Sequence, residues 1–353
     1  MTDPYPARHD AEPLPLRRKP PQANNQVKKM PPSAADPLLL KIPTPYPVGR
    51  INVYFLDGPE PTLVDTGVFS SVSLEALEEQ LRAHGRRLAD VRHILVTHGH
   101  YDHAGAALHL SRRCGATLYL HRQSALFTPR QPAAEEALIA FLTRCGLPRD
   151  TLEKAFANFH AGRRFADLAT EPLAVHRLNG DECLSIAGRE WRIVATPGHS
   201  PDHLCFYDLA TGNLFCGDLL LSHITPNPLL YLDPENDYRR APSLIHYLES
   251  LAKLTTIEIT TGFPGHGPLI SDVAALIAGT RKFIGERAEI FREKITAGAA
   301  DPATLACAVF GKLDLANQFL AISETVAYLD LLEQNRHIEV DWKGELITIR
   351  SSL

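Results

Sequence analysis

The feature that most constrains this chain is the ten-residue stretch VTHGHYDHAG, which concentrates side chains of the kinds that bind metals. His98, His100, Asp102 and His103 lie within six positions. A lone histidine is more often a structural or surface residue, but four such groups this close together favour a metal site. The run HILVT before them predicts a buried strand, and HAGAALHLSRRCG predicts a helix. The cluster is therefore expected at a strand-to-helix turn.

The spacing of these side chains allows one turn to face two metal ions. His98 and His100 are two residues apart, so on an extended segment both imidazoles point to the same side. Asp102 and His103 follow as the chain turns into the helix. Imidazole and carboxylate ligands suit Zn²⁺, Mn²⁺ or Fe²⁺, and an open zinc site lowers the pKa of bound water to about 7. The pattern predicts a catalytic centre that supplies hydroxide at neutral pH.

Three other turns carry candidate ligands, and each follows a predicted strand. They are ATPGHSPDH with His199, LFCGDLL with Asp218 and GFPGHGP with His266. His223 follows Asp218 closely enough to line the same cleft, and Tyr101 lies inside the first turn. We treat these last two residues as candidates for substrate contact, with an ordinary loop or surface role as the alternative for each.

The composition is typical of an ordinary globular protein and does not indicate a class of binding partner. The 353 residues are 44% hydrophobic and 22% charged, and the formal charge of −5 gives no basic field to attract nucleic acid. The six cysteines include no C-x-x-C pair, which is typical of reduced thiols. No run approaches the roughly 18 apolar residues of a membrane span, and the start lacks the apolar core of a secretory signal. We expect a cytoplasmic protein that does not act at a membrane.

Composition and hydrophobic periodicity divide the chain into three parts. Residues 1–36 are rich in proline without hydrophobic periodicity, which predicts a disordered tail. Residues 37–270 run through strands, helices, strands and helices. Residues 271–353 read as helices followed by the hairpin HIEVDWKGELITIR, with Lys343 and Gly344 at its turn. This last part is expected to form a small winged-helix-like domain.

The order H-x-H-x-D-H, P-G-H-S, G-D and G-H-G, together with LVDTG at Asp65, resembles the metallo-β-lactamase superfamily over about residues 37–270. The resemblance implies an α/β (α+β) fold, a four-layer αββα sandwich, with two divalent metal ions. It implies that Asp65 holds a ligand histidine in its tautomer. It implies ligands for a first metal at His98, His100 and His199, ligands for a second at Asp102, His103 and His266, and a bridging carboxylate at Asp218.

The expected activity is that of a binuclear metal-dependent hydrolase, with zinc as the favoured metal and manganese or iron as alternatives. A metal-bridging hydroxide would attack an ester, thioester or related acyl bond of a small molecule. Asp102 would also orient the nucleophile or shuttle its proton. His100 stands where flavodiiron members carry glutamate, which disfavours redox chemistry, and Asp218 together with the absence of a visible signal peptide disfavours an antibiotic-hydrolysing enzyme.

Two alternatives stay open. The stretch SETVAYLDLLEQNRHIEV before the hairpin resembles the winged-helix domain of the β-lactamase-like protein 2 branch, which includes single-strand endoribonucleases. An RNA partner would need a basic groove, and the candidates are RQSALFTPR, AGRRF and DYRR, the last with Arg239 and Arg240. A persulfide-type dioxygenase with one iron is less favoured. Homodimerisation through the C-terminal part is a further open alternative.

Overall fold

The computed structural model describes most of the chain beyond its N-terminal stretch. The described residues are 36–124, 132–154, 163–167, 174–225, 227–233 and 236–352. Residues 1–35, which hold nearly all of the predicted tail, lie outside them, as do parts of the candidate basic stretches RQSALFTPR and AGRRF.

The first of two central sheets has six strands, which lie in the sheet in the same order as in the chain. The strands are Leu38–Ile42 (β1), Ile51–Leu56 (β2), Thr62–Val64 (β3), His93–Leu95 (β4), Thr117–His121 (β5) and Val175–Leu178 (β6). Strands β1 to β3 pair antiparallel, and β3 to β6 pair parallel.

The second sheet has five strands. They are Cys183–Ile186 (β7), Arg189–Ala195 (β8), Leu204–Asp208 (β9), Asn213–Gly217 (β10) and Thr261–Pro264 (β13). Their order is β13-β10-β9-β8-β7, and only the β10–β13 pair is parallel. Trp191, Phe206 and Phe215 of this sheet share a buried cluster with Tyr54 and Leu95 of the first sheet. Large aromatic side chains therefore fill the space between the two sheets.

Helices cover the outer face of the first sheet. They are α1 (Ser71–Ala83) and α3 (Ala107–Cys114), with the single turn α2 (Tyr101–Ala104) between them in sequence. Ser70 begins α1 because its side chain accepts a hydrogen bond from the Ser73 N–H. Leu77 and Leu81 of this helix are fully buried against the sheet, as their helical spacing predicts.

Helices also cover the second sheet. They are α4 (Pro132–Arg144), α5 (Ser243–Leu254), α6 (Val273–Thr296), α7 (Pro302–Phe310) and α8 (Leu315–Gln334). One hydrophobic cluster joins Val194 and Leu214 of the sheet with Leu251 of α5, Ile284 of α6 and Leu329 of α8. The order helix, sheet, sheet, helix confirms the predicted four-layer sandwich. None of the described helices combines the length and the apolar character needed to cross a membrane.

The C-terminal part consists of α6, α7 and α8 followed by the hairpin of β14 (Ile338–Asp341) and β15 (Thr348–Ser351). The turn contains Lys343 and Gly344, whose N–H groups donate to Asp341 Oδ1 at 2.9 and 3.2 Å. These helices share their core with the second sheet, so no separate hydrophobic core begins at residue 271. The winged-helix assignment and the domain boundary stay predictions.

A short ribbon of β11 (Leu232–Asp233) and β12 (Arg239–Arg240) ties the hairpin to the rest of the fold. Arg240 forms an ion pair with Asp330 of α8, and its guanidinium lies 4.1 Å from the centre of the Trp342 ring. Arg240 therefore holds three elements together in a partly buried position.

Candidate metal centre

The structure brings all seven predicted metal ligands to one place. Each of them lies in a segment that follows the carboxyl end of a strand: β4 leads to the first histidine turn, β8 to His199, β10 to Asp218 and β13 to His266. Loops at the carboxyl ends of strands are where α/β sheets commonly place their ligand sites. The donor atoms fall into three overlapping groups, within each of which they lie no more than 4.8 Å apart.

The first group is made of three imidazoles, those of His98, His100 and His199. His100 Nδ1 lies 2.9 Å from His98 Nε2 and 3.0 Å from His199 Nε2. Burial, reinforced by repulsion from the neighbouring imidazoles, lowers the pKa of His98 well below its usual value and the pKa of His199 to about 3. Both rings are therefore neutral at pH 7, with nitrogen lone pairs available to a cation.

A second group contains Asp102, His103 and His266. Asp102 Oδ2 lies 3.3 Å from His266 Nε2 and 4.0 Å from His103 Nε2. Burial by itself lowers the pKa of His103, but nearby carboxylates, Asp218 foremost, raise that pKa well above its usual value. This group offers a carboxylate oxygen beside two imidazoles, whereas the first group offers imidazoles alone.

The Asp218 carboxylate faces both of these groups. Its Oδ1 lies 3.3 Å from His103 Nε2, and its Oδ2 lies 3.8 Å from His199 Nε2 and 3.8 Å from His266 Nε2. Burial alone would raise the pKa of Asp218, but the charge of the His103 imidazole holds the pKa far below its usual range. Asp218 is therefore an ionised carboxylate between two sets of imidazoles.

The donor set fits divalent metal ions. His103 Nε2, Asp218 Oδ1 and His266 Nε2 are buried, yet they make no hydrogen bond within the described part of the chain. Buried polar atoms without partners are rare in folded proteins and require an explanation. Cations bound among these atoms would give each of them a partner, and mixed imidazole and carboxylate ligands are what zinc and similar metals accept.

Asp65 lies directly after β3 and contacts the turn that carries the candidate ligands His98, His100, Asp102 and His103. Its Oδ2 lies 2.8 Å from His103 Nδ1, and its Oδ1 accepts the Thr97 N–H at 2.8 Å. The Thr97 hydroxyl lies 2.9 Å from the same carboxylate. His103 Nε2 is thereby left facing Asp218. The structure thus places Asp65 against a candidate ligand histidine, as the resemblance implies.

Several residues that position the ligands are not among those predicted from sequence. Asp202 accepts the Gly99 N–H at 2.8 Å and the Ser200 hydroxyl at 2.7 Å, so it ties the first histidine turn to the turn that carries His199. His203 accepts the Asp218 N–H at 3.2 Å. The sequence signal that could have predicted a positioning role for Asp202 is its place three residues after His199.

The turn around His266 is held by β2, which is distant in sequence. His266 Nδ1 lies 2.9 Å from the Arg50 carbonyl oxygen. The Asn52 side chain donates to the carbonyls of Pro264 and Gly267, each at 2.9 Å. No local sequence pattern marks Arg50 or Asn52 for this task.

The two candidates for substrate contact are placed differently. The His223 ring packs against Gly267, where a Cβ atom would come within 2.6 Å of Nδ1, so His223 adjoins the His266 turn. Tyr101 begins α2 and is half-buried, with its carbonyl accepting the Gly105 N–H at 2.9 Å.

Comparisons with known proteins agree with this geometry. The model of the metallo-beta-lactamase superfamily matches residues 46–266. The chain therefore belongs to the metallo-β-lactamase superfamily, and it is a metal-dependent hydrolase. The fold implies divalent metal ions, for which the imidazole and carboxylate groups above are available.

Three relatives illustrate the range of the similarity. The chain is 29% identical over 328 residues to the "Probable metallo-hydrolase YqjP" of Bacillus subtilis, an alignment that covers 90% of this chain and 98% of the relative. It is 27% identical to the atrochrysone carboxyl ACP thioesterase of Aspergillus fumigatus, with 76% and 72% covered. Among solved structures, a metallo-beta-lactamase family protein from Thermus thermophilus has a TM-score of 0.74 at 28% identity, with 90% and 98% covered.

Proposed function

We propose that this protein is a binuclear hydrolase that cleaves an ester, thioester or related acyl bond in a small molecule. The observation that carries the proposal is the position of Asp218, whose two oxygens face His103 on one side and His199 and His266 on the other. One carboxylate that serves both ligand groups favours two metals over one. The thioesterase relative supports acyl hydrolysis as the reaction class.

In this proposal the ligands divide between two ions. When bound, the ions supply a water-derived nucleophile at neutral pH and neutralise the charge that develops on the attacked group. The residues that would hold them are His98, His100 and His199 for one ion, Asp102, His103 and His266 for the other, and Asp218 for both.

Asp102 has a second task in the proposal, which is to orient the nucleophile or to shuttle its proton. Burial would raise the pKa of Asp102, but the charge of His103 outweighs that effect and lowers the pKa below its usual value. Asp102 is therefore ionised at neutral pH and can accept a hydrogen bond from the attacking water, which orients that water. His223, whose ring packs against Gly267 of the His266 turn, is the residue that we propose for contact with the substrate.

The described surface offers less to RNA than the sequence suggested. Arg240, one of the candidate basic residues, is partly buried in its ion pair with Asp330 and its contact with Trp342. Arg239 beside it is exposed. The other two basic stretches extend beyond the described residues. We therefore favour a small-molecule substrate, with single-stranded RNA as the alternative.

The test is elemental analysis of the purified protein, followed by parallel turnover assays with a thioester, a generic ester, a bis-aryl phosphodiester and a single-stranded RNA. The proposal predicts close to two zinc or manganese ions per chain and cleavage of an ester or thioester that a chelator abolishes and added metal restores. Cleavage of RNA alone would select the alternative. A single iron with oxygen consumption would overturn the hydrolytic proposal.

A further inference from the structure

The loop between β10 and β11 passes beside His199. The carbonyl oxygen of Asn227 lies 3.3 Å from His199 Nδ1. A carbonyl oxygen can only accept a hydrogen bond, so this contact requires the proton to be on Nδ1. The lone pair of Nε2 then faces His100 and Asp218, which lie 3.0 and 3.8 Å away.

The side chain of the same asparagine reaches a different element. Asn227 Nδ2 donates to the carbonyl oxygen of Leu320 at 3.3 Å, across 93 residues of sequence. Leu320 lies in the second turn of α8. Asn227 is half-buried, so water competes only partly for this hydrogen bond.

Helix α8 is a firm support for that contact. Glu324 of α8 forms an ion pair with Arg287 of α6, and both side chains are largely buried. Asp330, further along α8, pairs with Arg240. Leu329 lies in the hydrophobic core shared with the second sheet. The Leu320 carbonyl is therefore held at a defined place relative to the sheet that carries His199.

We propose that Asn227 is a positioning residue through which the C-terminal helix α8 sets the ring orientation and the tautomer of His199. The inference rests on the proposed role of His199 as a metal ligand. A ligand histidine whose second nitrogen has a fixed acceptor presents its lone pair in one direction, and losing such a partner typically weakens metal binding by about 10–100-fold. The C-terminal helices thus contribute to the metal centre without supplying a ligand.

The test compares Asn227→Leu with Asn317→Leu. Leucine has nearly the branched shape of asparagine but cannot donate to Leu320. Asn317 is the matched control because its side chain also donates one hydrogen bond at the start of α8, but to the exposed Asp314, at 2.8 Å, rather than from the loop beside His199. Zinc dissociation constants are measured by competition with a chromophoric chelator, and visible absorption spectra are recorded after substitution with Co²⁺.

Asn227→Leu should raise one zinc dissociation constant by about tenfold and shift the Co²⁺ spectrum, whereas Asn317→Leu should change neither. The free energy of unfolding of the metal-free protein should change to a similar extent in both variants. If Asn227→Leu does not fold, Asn227→Ala gives the same comparison without added apolar bulk. Wild-type zinc affinity and an unchanged spectrum in the Asn227 variant would overturn the positioning role of Asn227 but leave the proposed metal centre intact. A wild-type protein that binds no zinc would overturn the proposed metal centre and this inference with it.

Discussion

The Asp65 carboxylate and the His103 imidazole form a buried pair, with Oδ2 2.8 Å from Nδ1. Both side chains are almost completely removed from solvent. The pair orients His103 so that its Nε2 lies 3.3 Å from Asp218. Because Asp65 also accepts the Thr97 N–H, one carboxylate joins the end of β3 to the turn that carries the first histidines. The contact with Asp65 therefore fixes the direction in which His103 Nε2 points within the second ligand group.

Asp65→Asn should weaken metal binding by about 10–100-fold while leaving the fold intact. The neutral amide attracts the His103 N–H less strongly than a carboxylate does. Asp65 has a left-handed backbone conformation (φ 61°), and asparagine tolerates this region better than most residues. Chelator competition measures the affinity, and far-ultraviolet circular dichroism checks the fold.

Asp272→Asn is the control for that change. Asp272 begins α6 and accepts the Ala275 N–H at 2.8 Å, and asparagine caps helices about as well as aspartate. This variant should keep wild-type metal affinity. Equal affinities in the Asp65 variant and the wild type would show that the buried pair does not position His103.

Asp102→Asn and His98→Ala should each reduce turnover by more than about 100-fold. Loss of a proposed metal ligand should lower activity more than loss of a residue that only hydrogen-bonds to a ligand, which typically costs about 10–100-fold. Neither change removes much apolar packing, so circular dichroism should stay close to that of the wild type. His84→Ala is the control, since His84 is exposed at the end of α1. Full activity in either site variant would remove that residue from the proposed centre.

Gly265→Ala should impair the metal centre although alanine is small. A Cβ atom at this position would overlap the His103 ring and the Asp218 carboxylate. Crowding of this kind in a packed interior typically costs about 1–3 kcal/mol, and here it also displaces two of the proposed ligands. We expect weaker zinc binding together with a lower free energy of unfolding, measured by chelator competition and urea titration.

Gly279→Ala is the matched control for crowding. Gly279 lies within α6, and nothing lies within 4 Å of where its Cβ would be. Alanine in a helix is more favourable than glycine, so this variant should gain roughly 0.5–1 kcal/mol in stability and keep its zinc affinity. Zinc binding that is equally strong in both alanine variants would contradict the predicted overlap at Gly265.

The buried pair of Glu324 and Arg287 predicts a pH effect on stability. Burial raises the pKa of Glu324 above its usual value of 4.5, although Arg287 opposes the shift. The folded protein therefore binds this proton more tightly than the unfolded chain does. The contribution to stability is complete below about pH 4.5 and is lost as the pH rises through the raised pKa of the folded state.

Glu324→Gln removes this titration. As the pH rises from 4.5, the free energy of unfolding of the wild type should fall relative to that of the variant, by about 1.4 kcal/mol for each unit by which the pKa is raised. Urea titrations of metal-free protein between about pH 4 and 7 measure the difference, and the exposed Glu258→Gln serves as the control. A constant difference between wild type and Glu324→Gln across this range would contradict the prediction.

The local features of this protein could be predicted from its sequence. The histidine turn between a strand and a helix and the hairpin turn at Lys343 and Gly344 both follow from spacing and turn chemistry. Such features need only residues that are close together in the chain. The order of the separated motifs also indicated the superfamily, and the resemblance to that superfamily predicted the four-layer architecture.

The distant groups that support the ligands became visible only in the folded chain. His266 and Arg50 are 216 residues apart, and Asn227 and Leu320 are 93 apart. The same holds for Arg240, which looked like a surface cation in sequence and is paired with Asp330 in the fold. These contacts arise when the two sheets and the C-terminal helices pack into one body, so no local pattern records them. Packing, rather than spacing, selects the partners that orient each ligand.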